Sequence, residues 1–263
     1  MLPKSDDIGD RCKFFEDKFT SINVFNEKPV LCRIDGRAFH TFTKGLAKPF
    51  EIKLNRLMIE TTKYLVKESN AAIGYTQSDE ISLLWKSGKD LFFGGKIQKL
   101  NSVLASLATA FFVKNDNLSG KLASFDSRIW QVDENKDVID YFQWRQIDGI
   151  RNSVSMAAHA FLSHSEVQGK KTKELKELLL EKGINWDNYP NLFKFGTFVR
   201  NRQIVRDFTE EEIKNLPPKH QYFSNPELVI NRSVIMEEDF PPLSKIKNIF
   251  EVIFQSGDPI LIS

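Results

Sequence analysis

Residues 29–34 (PVLCRI) form a short continuous apolar run that stops at Asp35-Gly36, the pattern of a buried strand ending in a glycine turn. Residues 50–69 then place Ile52, Leu54, Leu57, Met58, Thr61, Tyr64 and Leu65 near one helical face. Two β-like runs follow, 71–76 (AAIGYT) and 81–85 (ISLLW). Gln77-Ser78-Asp79-Glu80 lies between them and is short enough for a hairpin. Residues 95–114 predict a long helix with Leu100, Val103, Leu104, Leu107, Ala108, Phe111 and Phe112 on one face. Residues 121–125 (KLASF) read as a fourth strand ending at Asp126. The order β-α-β-β-α-β is that of the ferredoxin-like split unit, an α+β fold. Beyond it the pattern predicts a helix over 139–165, a Lys/Glu-rich amphipathic helix at 170–182 and a strand-like segment at 193–200. Prolines 217, 218, 241 and 242 punctuate a less regular tail. Without a repeat or a clear linker, the chain reads as a single domain, 1–263. Its core spans about 28–130, with a C-terminal helical and strand elaboration over about 131–263.

Composition narrows the class. With 41% apolar and 27% charged residues, the chain can bury a core and is not of disordered type. The 22 Phe residues predict a Phe-rich core. Two cysteines cannot build a disulfide framework. Acids occupy the N-terminus where a signal peptide needs apolar residues, and no run of 18 apolar residues occurs. The expectation is a cytoplasmic protein with no membrane partner. The formal net charge of +2 conceals a gradient: residues 86–206 sum to +6 and residues 207–263 to −5. A basic middle is compatible with a phosphate-binding face on a nearly neutral protein.

In a ferredoxin-like sheet the first strand lies antiparallel beside the third. Asp35 at the end of one and Asp79-Glu80 at the start of the other would then converge on one sheet edge. Converging carboxylates repel unless a cation lies between them. Hard oxygen ligands suit Mg²⁺, and two ions about 3.5–4 Å apart can hold both oxygens of a phosphoryl displacement. Gly36 would let a backbone carbonyl and a triphosphate approach closely. Basic residues surround the place: Arg33 and Arg37 flank Asp35, Lys44 and Lys48 follow in a Gly/Pro loop, and Lys96 and Lys99 open the second helix on one face. His40 lies in the same turn as Asp35.

The run Arg33-Ile34-Asp35-Gly36-Arg37-Ala38-Phe39-His40-Thr41-Phe42 closely resembles the signature of the tRNA-histidine guanylyltransferase superfamily. So does Tyr75-Thr76-Gln77-Ser78-Asp79-Glu80-Ile81-Ser82. Ala47-Lys48-Pro49, Phe125-Asp126-Ser127-Arg128 and Trp144-Arg145-Gln146 with Asp148 are similar to further family blocks, in order over about residues 29–152. The resemblance implies a polymerase-type palm that extends RNA 3′-to-5′. ATP or GTP activates a tRNA 5′-monophosphate, and the 3′-hydroxyl of an incoming NTP attacks the activated end. An end already carrying a triphosphate needs no activation. Carried over by motif, Asp35, Gly36 and Asp79 would bind two Mg²⁺, with Glu80 among the catalytic carboxylates and Lys48 serving activation. Asp35, Gly36, Arg37, Ala38, Phe39, His40, Ser78 and Asp79 would hold the nucleotide, with Lys96 and Lys99 on its triphosphate. Arg128, Arg151 and Asn152 would meet RNA. The resemblance also implies a homotetramer.

One stretch departs from the eukaryotic guanylyltransferases, which carry His-Ile-Asn-Asn-Leu-Tyr-Asn-Thr after the Trp-Arg-Gln block. Here Ile150-Arg151-Asn152-Ser153 begins that stretch, and Ile150 stands in place of the His. That favours the guanylyltransferase-like branch, which repairs 5′-truncated tRNA on a template, over strict guanylate addition to tRNA-His. A nucleotidyl cyclase shares the palm. An RNA-recognition module shares the strand order but needs aromatics on the first and third strands; here the first has none and the third has only Trp85.

Overall fold

The computed structural model describes residues 8–24 and 27–262. Helix α1 (Ile8–Thr20) leads into β1 (Val30–Gly36), whose alternate side chains serve two layers. Val30, Cys32 and Ile34 join the core under helices α2 (Ile52–Ser69) and α3 (Ile97–Asn115). Leu31 joins a second core on the opposite face. Strands β2 (Ile73–Gln77) and β3 (Glu80–Trp85) form the expected hairpin. Strand β4 (Phe125–Gln131) precedes α4 (Asn135–Phe161), which a capping box of Glu134 and Asp137 starts. Helix α5 (Thr172–Glu181), strands β5 (Thr197–Arg206) and β6 (Ile230–Glu238), and helix α6 (Ile249–Phe254) complete the chain.

The sheet is antiparallel throughout, in the order β4-β1-β3-β2-β5-β6. Its first four strands have the ferredoxin-like order, and the C-terminal elaboration adds two more at the β2 edge. The Phe-rich core is real: Phe39, Phe42, Phe112 and Phe125 are buried together, with ring centroids 4.9–5.6 Å apart.

Three expectations need correction. The fourth strand covers 125–131, not 121–125. The apolar-looking KLASF run is mostly the approach to it. The strand itself carries Asp126 and Arg128 on the face toward α4, and these break the apolar pattern. The helix expected at 139–165 covers Asn135–Phe161. The tail is more regular than its prolines suggested, because β6 pairs with β5 over nine residues even though most of its side chains are exposed. Among the described residues, no helix is long and apolar enough to cross a membrane.

Candidate active site

The strand register builds the site. Across the sheet, Asp126 of β4, Asp35 of β1, Glu80 of β3 and Gln77 of β2 stand in one row. The next row on the same face is Arg128, Arg33, Ser82 and Tyr75. An acidic row therefore runs beside a row with two arginines, both beneath α4. A cleft of about 310 Å³ opens there, lined by Arg33, Asp35 and the 77–80 turn from the sheet, and by Arg145, Asp148 and Asn152 from α4. Gly149 lets the helix come this close, since a Cβ there would lie 2.6 Å from Gln77 Cγ.

The β2–β3 turn is tight. Gln77 pairs with Glu80, leaving Ser78-Asp79 as a two-residue loop with Ser78 at φ 57°. A left-handed serine costs on the order of 1 kcal/mol. The Gly36 amide donates to the Asp79 carbonyl at 3.1 Å, which fastens the turn to the end of β1. Burial, and then the nearby Asp35 charge, push the Asp79 carboxyl above its ordinary range.

Glu80 behaves differently. Arg145 holds both its oxygens, Nε to Oε1 and Nη2 to Oε2, each at 2.6 Å. The same guanidinium reaches Asp148 at 3.2 Å. Burial pushes the Glu80 carboxyl up, and Arg145 opposes that shift. Glu80, expected among the catalytic carboxylates, lines the cleft and through this pair also ties β3 to α4. Arg33 also faces the cleft, and its buried Nε has no hydrogen-bond partner among the described residues.

The turn expected to hold the nucleotide follows β1. The Arg37 amide donates to the Ser124 carbonyl at 2.8 Å, and Ala38 sits at φ 55°. Phe39 folds back over Gly36, where an added Cβ would lie 2.2 Å from its ring. Arg37 and His40 stay exposed, as do Lys44 and Lys48 on the loop beyond. Phe39 is a core residue, so within the expected nucleotide set its ring shapes the turn from beneath.

Of the other expected residues, Lys96, Lys99, Arg128 and Arg151 do not line the cleft. Lys96 and Lys99 open α3 in the layer across the sheet, exposed, with the Lys99 ammonium 4.3 Å from the Phe93 ring centroid. Arg128 is ion-paired to Asp126 at 3.2 Å. Arg151 and Asn152 are exposed on α4, and Asn152 lines the cleft mouth. Sequence reasoning missed Asp126 in register with Asp35. It also missed the partner of Arg145, although the Trp-Arg-Gln block marked that arginine.

The donors expected for a metal would be the carboxylates of Asp35 and Asp79 with the Gly36 carbonyl. Among the described residues no group of three or more His, Cys, Asp and Glu gathers as a metal cluster. The set still suits Mg²⁺: all are hard oxygens, and Asp79 is disfavoured as an anion by burial and by Asp35, a conflict that a dication relieves.

The antiparallel sheet brings carboxylates together at the end of β1 and in the β2–β3 turn, the arrangement expected of a polymerase-type palm. A profile of the family described as tRNAHis guanylyltransferase (Thg1) matches residues 9–133. The tRNA(His) guanylyltransferase of Saccharomyces cerevisiae is 30% identical over 66% of this chain and 82% of its own. A bacterial tRNA(His) guanylyltransferase (Thg1)-like protein, solved in complex with ATP, superposes with a TM-score of 0.75 at 32% identity, over 95% of this chain and 100% of that one. A bacterial Thg1-like protein in complex with GTP superposes at 0.69 with 33% identity, over 91% and 95%. The chain belongs to the tRNA(His) guanylyltransferase family.

Proposed function

We propose that the protein is a 3′-to-5′ nucleotidyltransferase that adds nucleotides to tRNA 5′ ends, with the opposite base selecting the nucleotide. The convergence of Asp35 and Asp79, locked together by the Gly36–Asp79 hydrogen bond, carries this reading. When bound, Mg²⁺ at Asp35, the Gly36 carbonyl and Asp79 would supply charge to phosphoryl oxygens. The turn from Asp35 to His40, with Ser78 and Asp79, would hold the NTP. Lys96 and Lys99 would grip its triphosphate. Lys48 would serve the ATP- or GTP-dependent activation of a 5′-monophosphate. Arg128, Arg151 and Asn152 would meet the RNA. Glu80 and Arg145 keep the turn in place. A homotetramer in the cytoplasm completes the reading.

Ile150 favours templated repair over strict guanylate addition. It packs against the apolar cluster between α4 and α5, so an apolar side chain fills the position where the eukaryotic guanylyltransferases carry a histidine. The test supplies each NTP singly to a tRNA lacking its first nucleotide. Incorporation of only the nucleotide complementary to the opposite base supports the reading. Guanosine alone, whatever the opposite base, defeats it in favour of a strict guanylyltransferase. A cyclic nucleotide formed from ATP or GTP without RNA would place the protein with the cyclases.

A further inference from the structure

The loop carrying Lys44 and Lys48 is held near its start by one ammonium group and at its far end by Phe50, which stacks on Phe193 with ring centroids 4.6 Å apart. Lys121 Nζ donates to the carbonyls of Thr41 at 3.1 Å, Phe42 at 3.0 Å and Lys44 at 2.9 Å. An ammonium has three donors, so one loop takes them all. The helical turn Phe39–Phe42 ends there, and the carbonyls of its last residues, Thr41 and Phe42, accept from beyond the turn. Before α2 begins, the loop's backbone bonds are short-range: the Thr43 amide to the Phe39 carbonyl at 2.8 Å, the Lys44 amide to the Thr41 carbonyl at 3.4 Å, and the Leu46 amide to the Thr43 carbonyl at 3.0 Å. Phe39 and Phe42 anchor its first half in the core, and the exposed Lys44 and Lys48 lie at and past the point that Lys121 grips.

We infer that Lys121 is a positioning residue for this loop. It holds the loop so that Lys48 is placed for the activation of a 5′-monophosphate, and it is dispensable for addition to an end that already carries a triphosphate. Its bonds are charge-assisted and therefore stronger than neutral ones. Their removal leaves the loop held by Phe39 and Phe42 before it and by Phe50 beyond it, and frees the stretch from Lys44 to Lys48 between them. This inference rests on the proposed function, because it assigns Lys48 to the activation step.

The test compares 5′-monophosphorylated and 5′-triphosphorylated truncated tRNA. Lys121→Ala is expected to lower extension of the first on the order of tenfold, as a misplaced catalytic group does. Extension of the second should stay within about twofold, the range of a neutral surface change. The vacated carbonyls form an oxygen cradle, so propylammonium chloride should restore the first activity and sodium chloride at equal ionic strength should not. Equal loss on both substrates, or loss on neither, overturns the inference. The proposed function is judged separately, by the wild-type protein on the same RNAs. A second measurement stands without activity: trypsin should cleave after Lys44 on the order of tenfold faster in Lys121→Ala, as expected of a loop that opens more often. Propylammonium should slow that cleavage. Unchanged cleavage also overturns the inference.

Discussion

Arg145 grips Glu80 through two parallel hydrogen bonds of 2.6 Å, with both side chains largely withdrawn from solvent. The two residues are 65 positions apart, one on α4 and one at the first position of β3. Their pairing fixes the helix over the turn that carries Asp79.

Breaking that pair by Arg145→Met leaves a buried carboxylate without its cation. We predict a loss of about 3–5 kcal/mol in unfolding free energy, read by urea denaturation. Adding Glu80→Gln should recover much of it, because the uncompensated charge goes too. A double variant as unstable as the single one would show that the pair is not the source of the loss.

Asp79 gives a pH signature. Its folded carboxyl lies above its ordinary value of 3.8. The folded state therefore binds this proton more tightly than the unfolded chain does. The corresponding stability is complete below pH 3.8 and is lost as pH rises through the raised folded value. At neutral pH in a chelator, Asp79→Asn should stabilise the protein by about 1 kcal/mol, as relief of a strained functional site does. Mg²⁺ should raise the wild-type Tm and leave the variant's unchanged. Calorimetry with and without Mg²⁺ separates these outcomes, and an equal Mg²⁺ response would remove Asp79 from the metal site.

Gly36→Ala should drive Phe39 out of its aromatic cluster, since the new Cβ would lie 2.2 Å from the ring. Overpacking of this kind costs about 1–3 kcal/mol. Thermal melting measures it, and an unchanged Tm would mean that the ring has room to move.

Lys96 and Lys99 lie across the sheet from the cleft, so their assignment to the triphosphate needs its own measurement. Lys96→Met with Lys99→Met should raise the KM for nucleotide about tenfold and hold kcat, the signature of lost uniform binding. An unchanged KM would return both residues to the solvated surface.

Much of this architecture was legible in the sequence, for a physical reason. Strand β1 and the β2–β3 hairpin are buried on both faces, so their apolar runs stand out, and Asp35 and Asp79 mark their ends. The pattern misplaces strand β4 because its face toward α4 carries the half-exposed Asp126 and Arg128, which interrupt the apolar run. That shift concealed the register of Asp126 with Asp35. Strand β6 is an exposed edge with no apolar run to show it. The Arg145–Glu80 pair depends on how α4 crosses the sheet, and no local pattern encodes that crossing.

The central claim is that the opposite base selects the nucleotide at this site. The most direct measurement uses two truncated tRNAs that differ only in the base opposite the missing first nucleotide, each offered all four NTPs. The account predicts that the incorporated nucleotide changes with that base, and that Asp79→Ala abolishes both reactions. Addition of guanosine to both RNAs would contradict it.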